Sequence, residues 1–459
     1  MRFCGRQDEL KKLEGIYGSG KFECLILHGR LRVGKTALLR EFIKGKKSVY
    51  FAAQETNSGG NLADLSRILQ ASLGIKDDSA REVNSFEGAF NLVFQHAANE
   101  RLVFVIDDYQ FLTAADGLIS EAICSLIDLR HSESRLMLII CGSSESVMEG
   151  HTLGYDSPFH GRRTAQMKLL PFTFFEVKQY YSKFSPFDAA VIYGVTGGVP
   201  KYLDFMDPEL PIEENIRRAF FDPSSYLHEE PANLLRREVR DLANYNAVLR
   251  AIAAGNARNS GIASTVGLET SAATAYLNNL IAFGLVGKFT PVTEKAGRKT
   301  IYEIKDMFFR FWYRFVPGNM SEIKAGMAEK IWRNVASDIP FFMSNVFEEI
   351  CREWLRQRNS VGRLPINCVE IGRWWGTDPV LKTETTIPIV AYSADDRAVF
   401  GDCVWSDGKA GADDLASLVE RSRLLRYADC YYYLFSRSGF TGECAEMAQH
   451  FGANLVMFE

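Results

Sequence analysis

The residues whose types and spacing could do chemistry are concentrated in Gly29-Arg30-Leu31-Arg32-Val33-Gly34-Lys35-Thr36, which fits the phosphate-binding pattern GxxxxGK[ST]. Gly29 and Gly34 let the backbone wrap a phosphate. The successive N–H groups from Arg32 and Val33 through Ala37, at the start of a helix, supply partial positive charge. Lys35 reaches the terminal phosphates of a nucleotide, and Thr36 offers its hydroxyl to Mg2+. A second set of oxygens, Asp107-Asp108, follows the aliphatic run Leu102-Val103-Phe104-Val105-Ile106. There Asp107 can hold the Mg2+ shell and Asp108 can orient an attacking water. Ser143, at the end of the apolar run Leu136 to Cys141, could touch a γ-phosphate or that water. In Gly161-Arg162-Arg163 an arginine, Arg163, either reaches a transferred phosphate or faces solvent.

These groups need elements to hold them. The run ending at His28 reads as a buried strand and the segment from Lys35 to Phe42 as a helix. Ser48 to Ala53, Leu102 to Ile106 and Leu136 to Cys141 read as further short strands, with a helix over Phe86 to His96. Short apolar strands alternating with helices imply an α/β fold with a parallel, doubly wound sheet, whose carboxyl edge collects the residues named above.

With 459 residues the chain is long for a single core, and two to four domains are expected. Hydrophobic content of 47% and charged content of 24% exclude a largely disordered chain. A net charge of -4 gives no global pull toward nucleic acid or an anionic membrane. The nine cysteines include no CxxC pair, which predicts reduced core thiols. The opening MRFCGRQDEL lacks an apolar signal core, and no apolar run is long enough to cross a bilayer, so a cytoplasmic protein without membrane contact is expected.

Taken together, FCGRQDEL, GRLRVGKT, VFVIDDYQFL, the GRR loop and TGGVPKYL resemble the archaeal-type ATPases within the AAA and STAND group of P-loop proteins. The resemblance implies ATP and Mg2+ as ligands and a nucleotide-dependent switch, and it carries roles beside the nucleotide base onto Arg6 and Pro200. That group usually has Asp-Glu where this chain has Asp107-Asp108. The shorter second carboxylate predicts slow hydrolysis, hence a weak ATPase.

The expected layout is a P-loop ATPase core over 1–188, a helical lid over 189–240, a winged helix over 241–315 and a C-terminal α/β domain over 316–459. The winged-helix outline comes from three helices between Tyr245 and Leu285 and a hairpin over Val286 to Ile304 with a basic turn at 295–299. Thr270 to Gly284 contains no Lys or Arg, although phosphate contacts supply most of the affinity of a DNA reader. A structural or autoinhibitory winged helix is therefore preferred, and the wing is left as the DNA-facing candidate. Asp306 to Phe315 reads as a core aromatic helix. Behind it, Arg373-Trp374-Trp375-Gly376 and Gly401-Asp402-Cys403-Val404-Trp405 are similar to a restriction-endonuclease-like domain. Nucleases of that fold hold a cation with an Asp and a Glu and activate water with a Lys. Here Pro388, Asp402 and Val404 stand at those places, with Glu348 or Glu384 as auxiliary carboxylates. Cleavage is expected to be absent, leaving a docking surface for a protein partner. The alternatives are an ATP-regulated effector that cleaves or binds DNA, and a binding module with structural nucleotide.

Overall fold

Continuous aliphatic runs suit strands buried on both faces, and five of them build the first unit, Met1–Phe172 with Val199–Lys201. The computed structural model describes residues 3–74, 83–239, 241–294, 297 and 299–458. The strands are β1 (Glu23–His28), β2 (Ser48–Ala52), β3 (Leu102–Asp107), β4 (Leu136–Gly142) and β5 (Ala165–Lys168). They are parallel, in the order β2-β3-β4-β1-β5. The helices are α1 (Gln7–Gly18), α2 (Lys35–Phe42), α3 (Ser58–Leu73), α4 (Phe86–Asn99), α5 (Tyr109–Ala115) and α6 (Ile119–Arg130). Alternate side chains serve opposite faces. Cys24, Ile26, Phe104 and Ile140 join a core with α4 and α6, whereas Leu25, Leu27, Val103, Val105 and Ile139 pack on Leu38, Leu39 and Phe42 of α2. Each such side chain contributes roughly 1.5–3 kcal/mol by leaving water. In register, His28 lies beside Gly142 and Ala52 beside Asp107, so the carboxyl ends of β1, β3 and β4 share one edge.

The second unit comprises Thr173–Gly198 and Tyr202–Glu459. It begins with helices α7 (Phe174–Tyr180), α8 (Pro186–Thr196), α9 (Ile212–Phe220) and α10 (Tyr226–Glu238). Three further helices, α11 (Leu242–Ala253), α12 (Asn259–Val266) and α13 (Thr270–Ala282), precede an antiparallel hairpin of β6 (Val286–Phe289) and β7 (Ile301–Ile304). The aromatic segment forms α14 (Met307–Phe315), with Phe308, Phe309 and Phe311 fully buried. Next come α15 (Ile339–Ser360), β8 (Glu370–Thr377), β9 (Glu384–Tyr392), β10 (Arg397–Val404), α16 (Ala412–Ser422), β11 (Asp429–Ser436), α17 (Gly442–Phe451) and β12 (Asn454–Met457). They make a mixed sheet in the order β12-β11-β10-β9-β8. Among the described residues no helix is long and apolar enough to cross a membrane.

α15 starts at Ile339, and the Arg373–Gly376 motif lies on the edge strand β8. The segment around the β6–β7 hairpin is held on the edge of that strand. The Val292 N–H donates to the Arg373 carbonyl at 2.9 Å, Arg373 pairs with Glu303 at 2.6 Å, and the Trp375 indole donates to the Lys299 carbonyl at 3.2 Å. Of the basic turn read at 295–299, positions 295, 296 and 298 lie outside the described residues.

α15 is joined to α7 and α8 by one carboxylate. Glu353 accepts the Phe174 N–H at 3.0 Å and the Tyr193 hydroxyl at 2.5 Å. Burial pushes the Glu353 carboxyl up to about 7 and Glu349 adds to the rise, while Tyr193, the Phe174 N–H and Arg356 pull the other way. A carboxyl raised on folding binds its proton more tightly in the folded chain. Its stabilisation is complete below the ordinary carboxylate range and is lost as pH rises through about 7, with roughly 3 kcal/mol as the upper limit. Glu353→Gln, which keeps the uncharged shape, should flatten the fall in unfolding temperature between pH 5.5 and 8.5. An unchanged slope in thermal denaturation would exclude Glu353 as its source.

Candidate nucleotide-binding site

The loop between β1 and α2 closes on itself. Gly29 has φ 148° and Gly34 φ 93°, and a Cβ on Gly29 would lie 2.3 Å from the Leu169 carbonyl oxygen. Only glycine fits there. Lys35 is 7% exposed, and its ammonium donates to the Gly29 carbonyl at 2.7 Å and the Arg30 carbonyl at 2.9 Å, so it sits in the curve of the loop. Val33 is buried, whereas Thr36 and Ala37 are exposed at the first turn of α2. Arg32 adopts φ 73°, and its carbonyl accepts the Lys201 N–H at 3.5 Å. The Pro200 Cγ would be 3.9 Å from a Cβ on Gly34, which puts the GVPK segment against the loop. Arg6, 5% exposed, donates to the carbonyls of Val33 at 3.1 Å and Leu170 at 2.6 Å and lies 4.6 Å over the Phe172 ring. Its guanidinium thus clamps the loop to the segment after β5.

Asp107 ends β3, 2% exposed, and its Oδ2 accepts the Thr36 hydroxyl at 2.7 Å. The loop hydroxyl and the strand carboxylate, 71 residues apart in sequence, therefore meet. Both are hard oxygen donors of the kind Mg2+ prefers, so the residues fit that ion. Asp108 caps α5 in the left-handed region at φ 53°, and Ser143 follows β4 beside the loop strand. Arg163 does not join them. Its Nη1 donates to the Thr152 carbonyl at 2.6 Å, and the next residue's N–H donates to the Cys24 carbonyl at 2.9 Å. Because β5 runs parallel to β1, Arg163 lies at the amino edge of the sheet, about six residues or roughly 20 Å of strand from the loop. The expected reach of Arg163 to a phosphate is not met within this chain.

In the second unit, Asp402 on β10 is paired with Arg421 at 2.5 Å, and Arg421 also donates to the Thr386 carbonyl at 2.6 Å. Arg352 pairs with Glu348 at 3.3 Å and donates to the Pro388 carbonyl at 2.8 Å. Burial raises the Glu348 carboxyl. Glu384 is exposed at the start of β9, near Arg258 at 3.7 Å. Two guanidinium groups thus occupy the surroundings of Asp402 and Glu348. Among the described residues no group of three His, Cys, Asp or Glu side chains is arranged to hold a metal.

Residues 3–205 match a family described as an ATPase domain predominantly from Archaea. This part of the chain is thus similar to P-loop ATPases, and its parallel sheet has the P-loop NTPase fold. Residues 312–415 match a second family, described as archaeal and bacterial proteins of unknown function. An uncharacterised protein of Methanocaldococcus jannaschii is 29% identical over 408 residues, which is 89% of this chain and 88% of that one. An uncharacterised ATP-binding protein of the same organism is 44% identical over 45 residues, 10% of this chain and 76% of its own. A Walker-type ATPase of Pyrococcus abyssi shares the fold with a TM-score of 0.52 at 19% identity, over 68% of this chain and 96% of that structure.

Two polar groups of the first unit have no counterpart among the residues singled out from the sequence. Tyr50 on β2 donates its hydroxyl to Asp107 Oδ2 at 2.5 Å. Burial raises the Tyr50 hydroxyl, and the Asp107 charge raises it further. Gln110 bonds Asp108 at 3.0 Å and Ser143 at 3.3 Å. The signal for Tyr50 was a phenol in an apolar strand, and for Gln110 a carboxamide two residues after Asp108.

Proposed function

We propose that the protein is an ATP-binding, slowly hydrolysing ATPase that acts as a nucleotide-dependent switch of the STAND type. The observation that carries this reading is the Thr36–Asp107 hydrogen bond of 2.7 Å beside the glycine loop. The amides of Arg32 to Ala37 and the Lys35 ammonium bind the phosphates, and Arg6 and Pro200 brace the loop near the base. Thr36 and Asp107 would hold Mg2+, which supplies charge neutralisation at the transferred phosphoryl group. Asp108 orients the lytic water and Ser143 contacts the phosphate or that water. An aspartate reaches one methylene less far than glutamate, and a misplacement of about 1 Å can cost on the order of a hundredfold in rate. Asp108→Glu should therefore raise kcat several-fold with ATP affinity unchanged; a slower variant would mean that the site is built around aspartate.

The helices α11 to α13 with the β6–β7 hairpin support a winged helix, and the absence of Lys and Arg from α13 favours a structural role over DNA reading. The order α15-β8-β9-β10-α16-β11 supports a nuclease-like domain that serves as a docking surface for a protein partner. Arg421 and Arg352 favour its inertness, because a divalent cation would have to displace a paired guanidinium. Supercoiled, linear and single-stranded DNA and RNA should stay intact with the protein under Mg2+ or Mn2+, with or without ATP. Cutting that vanishes in Asp402→Ala but survives in Lys35→Ala would instead establish the alternative, an ATP-regulated nuclease.

A further inference from the structure

We propose that Gln110 is a positioning residue that locks Asp108 and Ser143 into one hydrolytic pair; this rests on the ATPase reading above. Gln110 follows Asp108 by two residues in the first turn of α5, and its carboxamide spans the gap from the end of β3 to the end of β4. Nε2 donates to Asp108 Oδ1 at 3.0 Å and to Ser143 Oγ at 3.3 Å, while Oε1 accepts the Ser143 N–H at 3.2 Å. Both ends of the amide are used, and the network fixes its orientation. Turned over, the carbonyl oxygen would face the Asp108 carboxylate and the NH2 would face the Ser143 N–H, two repulsive contacts.

The surroundings are shaped for this side chain. A Cβ on Gly142 would lie 3.0 Å from Gln110 Oε1 and 2.3 Å from the Met148 sulfur, so glycine at the end of β4 leaves the room that the carboxamide needs. On the other side the Asp108 N–H donates to Asp107 Oδ1 at 3.0 Å, which sets the left-handed turn from which Asp108 projects. A short carboxylate held from both its backbone and its side chain keeps one direction instead of sampling several. Gln110 restricts Asp108 and Ser143 through a single group, so the two move together. Its loss should loosen the pair without touching the Lys35 and Thr36 contacts, which belong to the loop.

The test is ATP affinity by titration with a fluorescent nucleotide, and kcat and KM with Mg2+-ATP, for the full-length wild type, Gln110→Ala and Gln110→Glu. Gln110→Ala should lower kcat by about 10- to 100-fold, as a displaced catalytic group does, with ATP affinity within about threefold of wild type. Gln110→Glu keeps the shape of the side chain but removes the N–H that donates to Asp108, so its kcat should fall at least as far, again with ATP affinity near wild type. A purely structural role would leave kcat in this isosteric variant near wild type. Wild-type kcat in Gln110→Ala or in Gln110→Glu would overturn the inference and leave the ATPase reading standing. Wild-type protein that neither binds nor turns over ATP would overturn both.

Discussion

Lys35→Ala should weaken ATP binding at least tenfold and as much as about a hundredfold, the range expected for loss of a charge-assisted contact of about 1.5–3 kcal/mol. Lys35 is 7% exposed and its ammonium is already ordered by the Gly29 and Arg30 carbonyls, so little conformational freedom remains to be lost when a phosphate arrives. Isothermal titration with ATP and ADP, together with circular dichroism of the variant, measures the effect. Unchanged affinity in a folded Lys35→Ala protein would remove the loop from the binding account.

The second large effect is on stability. Gly29→Ala puts a methyl group 2.3 Å from the Leu169 carbonyl oxygen at φ 148°. Both groups are backbone-fixed, because the Leu169 N–H in turn donates to the His28 carbonyl at 2.7 Å. No rotamer relieves the clash, and a cost of about 3 kcal/mol or more follows, or roughly 6–12 °C in unfolding temperature for a unit of this size. Gly15→Ala, on the exposed face of α1 with nothing within 4 Å of the added methyl, should leave that temperature unchanged or raise it. Equal behaviour of the two variants in differential scanning calorimetry would mean that the loop yields more easily than its geometry indicates.

What could be read in advance followed local physical rules. The parallel sheet was legible because each of β1, β3 and β4 carries a continuous apolar run with a polar residue at or just past its end, and the loop because its glycines and lysine have fixed spacing. Arg163 illustrates the limit: a Gly-Arg-Arg loop has no periodicity that says which edge of the sheet it lies on, and only the β1–β5 register does so. Tyr50 and Gln110 reach Asp107 and Ser143 across 57 and 33 residues of chain, which no local pattern announces. Glu353 sits among other charged residues on α15, and nothing in that local pattern says that Phe174 of α7 and Tyr193 of α8 bond to it. β8 escaped because Arg373-Trp374-Trp375-Gly376 lacks clean alternation, and a register shift between Gly372 and Trp374 interrupts its pairing with β9.

Val199–Lys201 belongs to the first unit although residues on both sides of it belong to the second. The polypeptide therefore passes between the units three times, after Phe172, after Gly198 and after Lys201. No single cut yields both modules intact. A fragment ending at Phe172 lacks the proline that rests beside Gly34 and the N–H that meets the Arg32 carbonyl, and one beginning at Val199 lacks α7 and α8. In genetic terms, recombination cannot exchange the nucleotide module of this chain for another by one crossover. A transplant must carry the loop and its distant three-residue strap together, so the two are expected to be inherited as one unit.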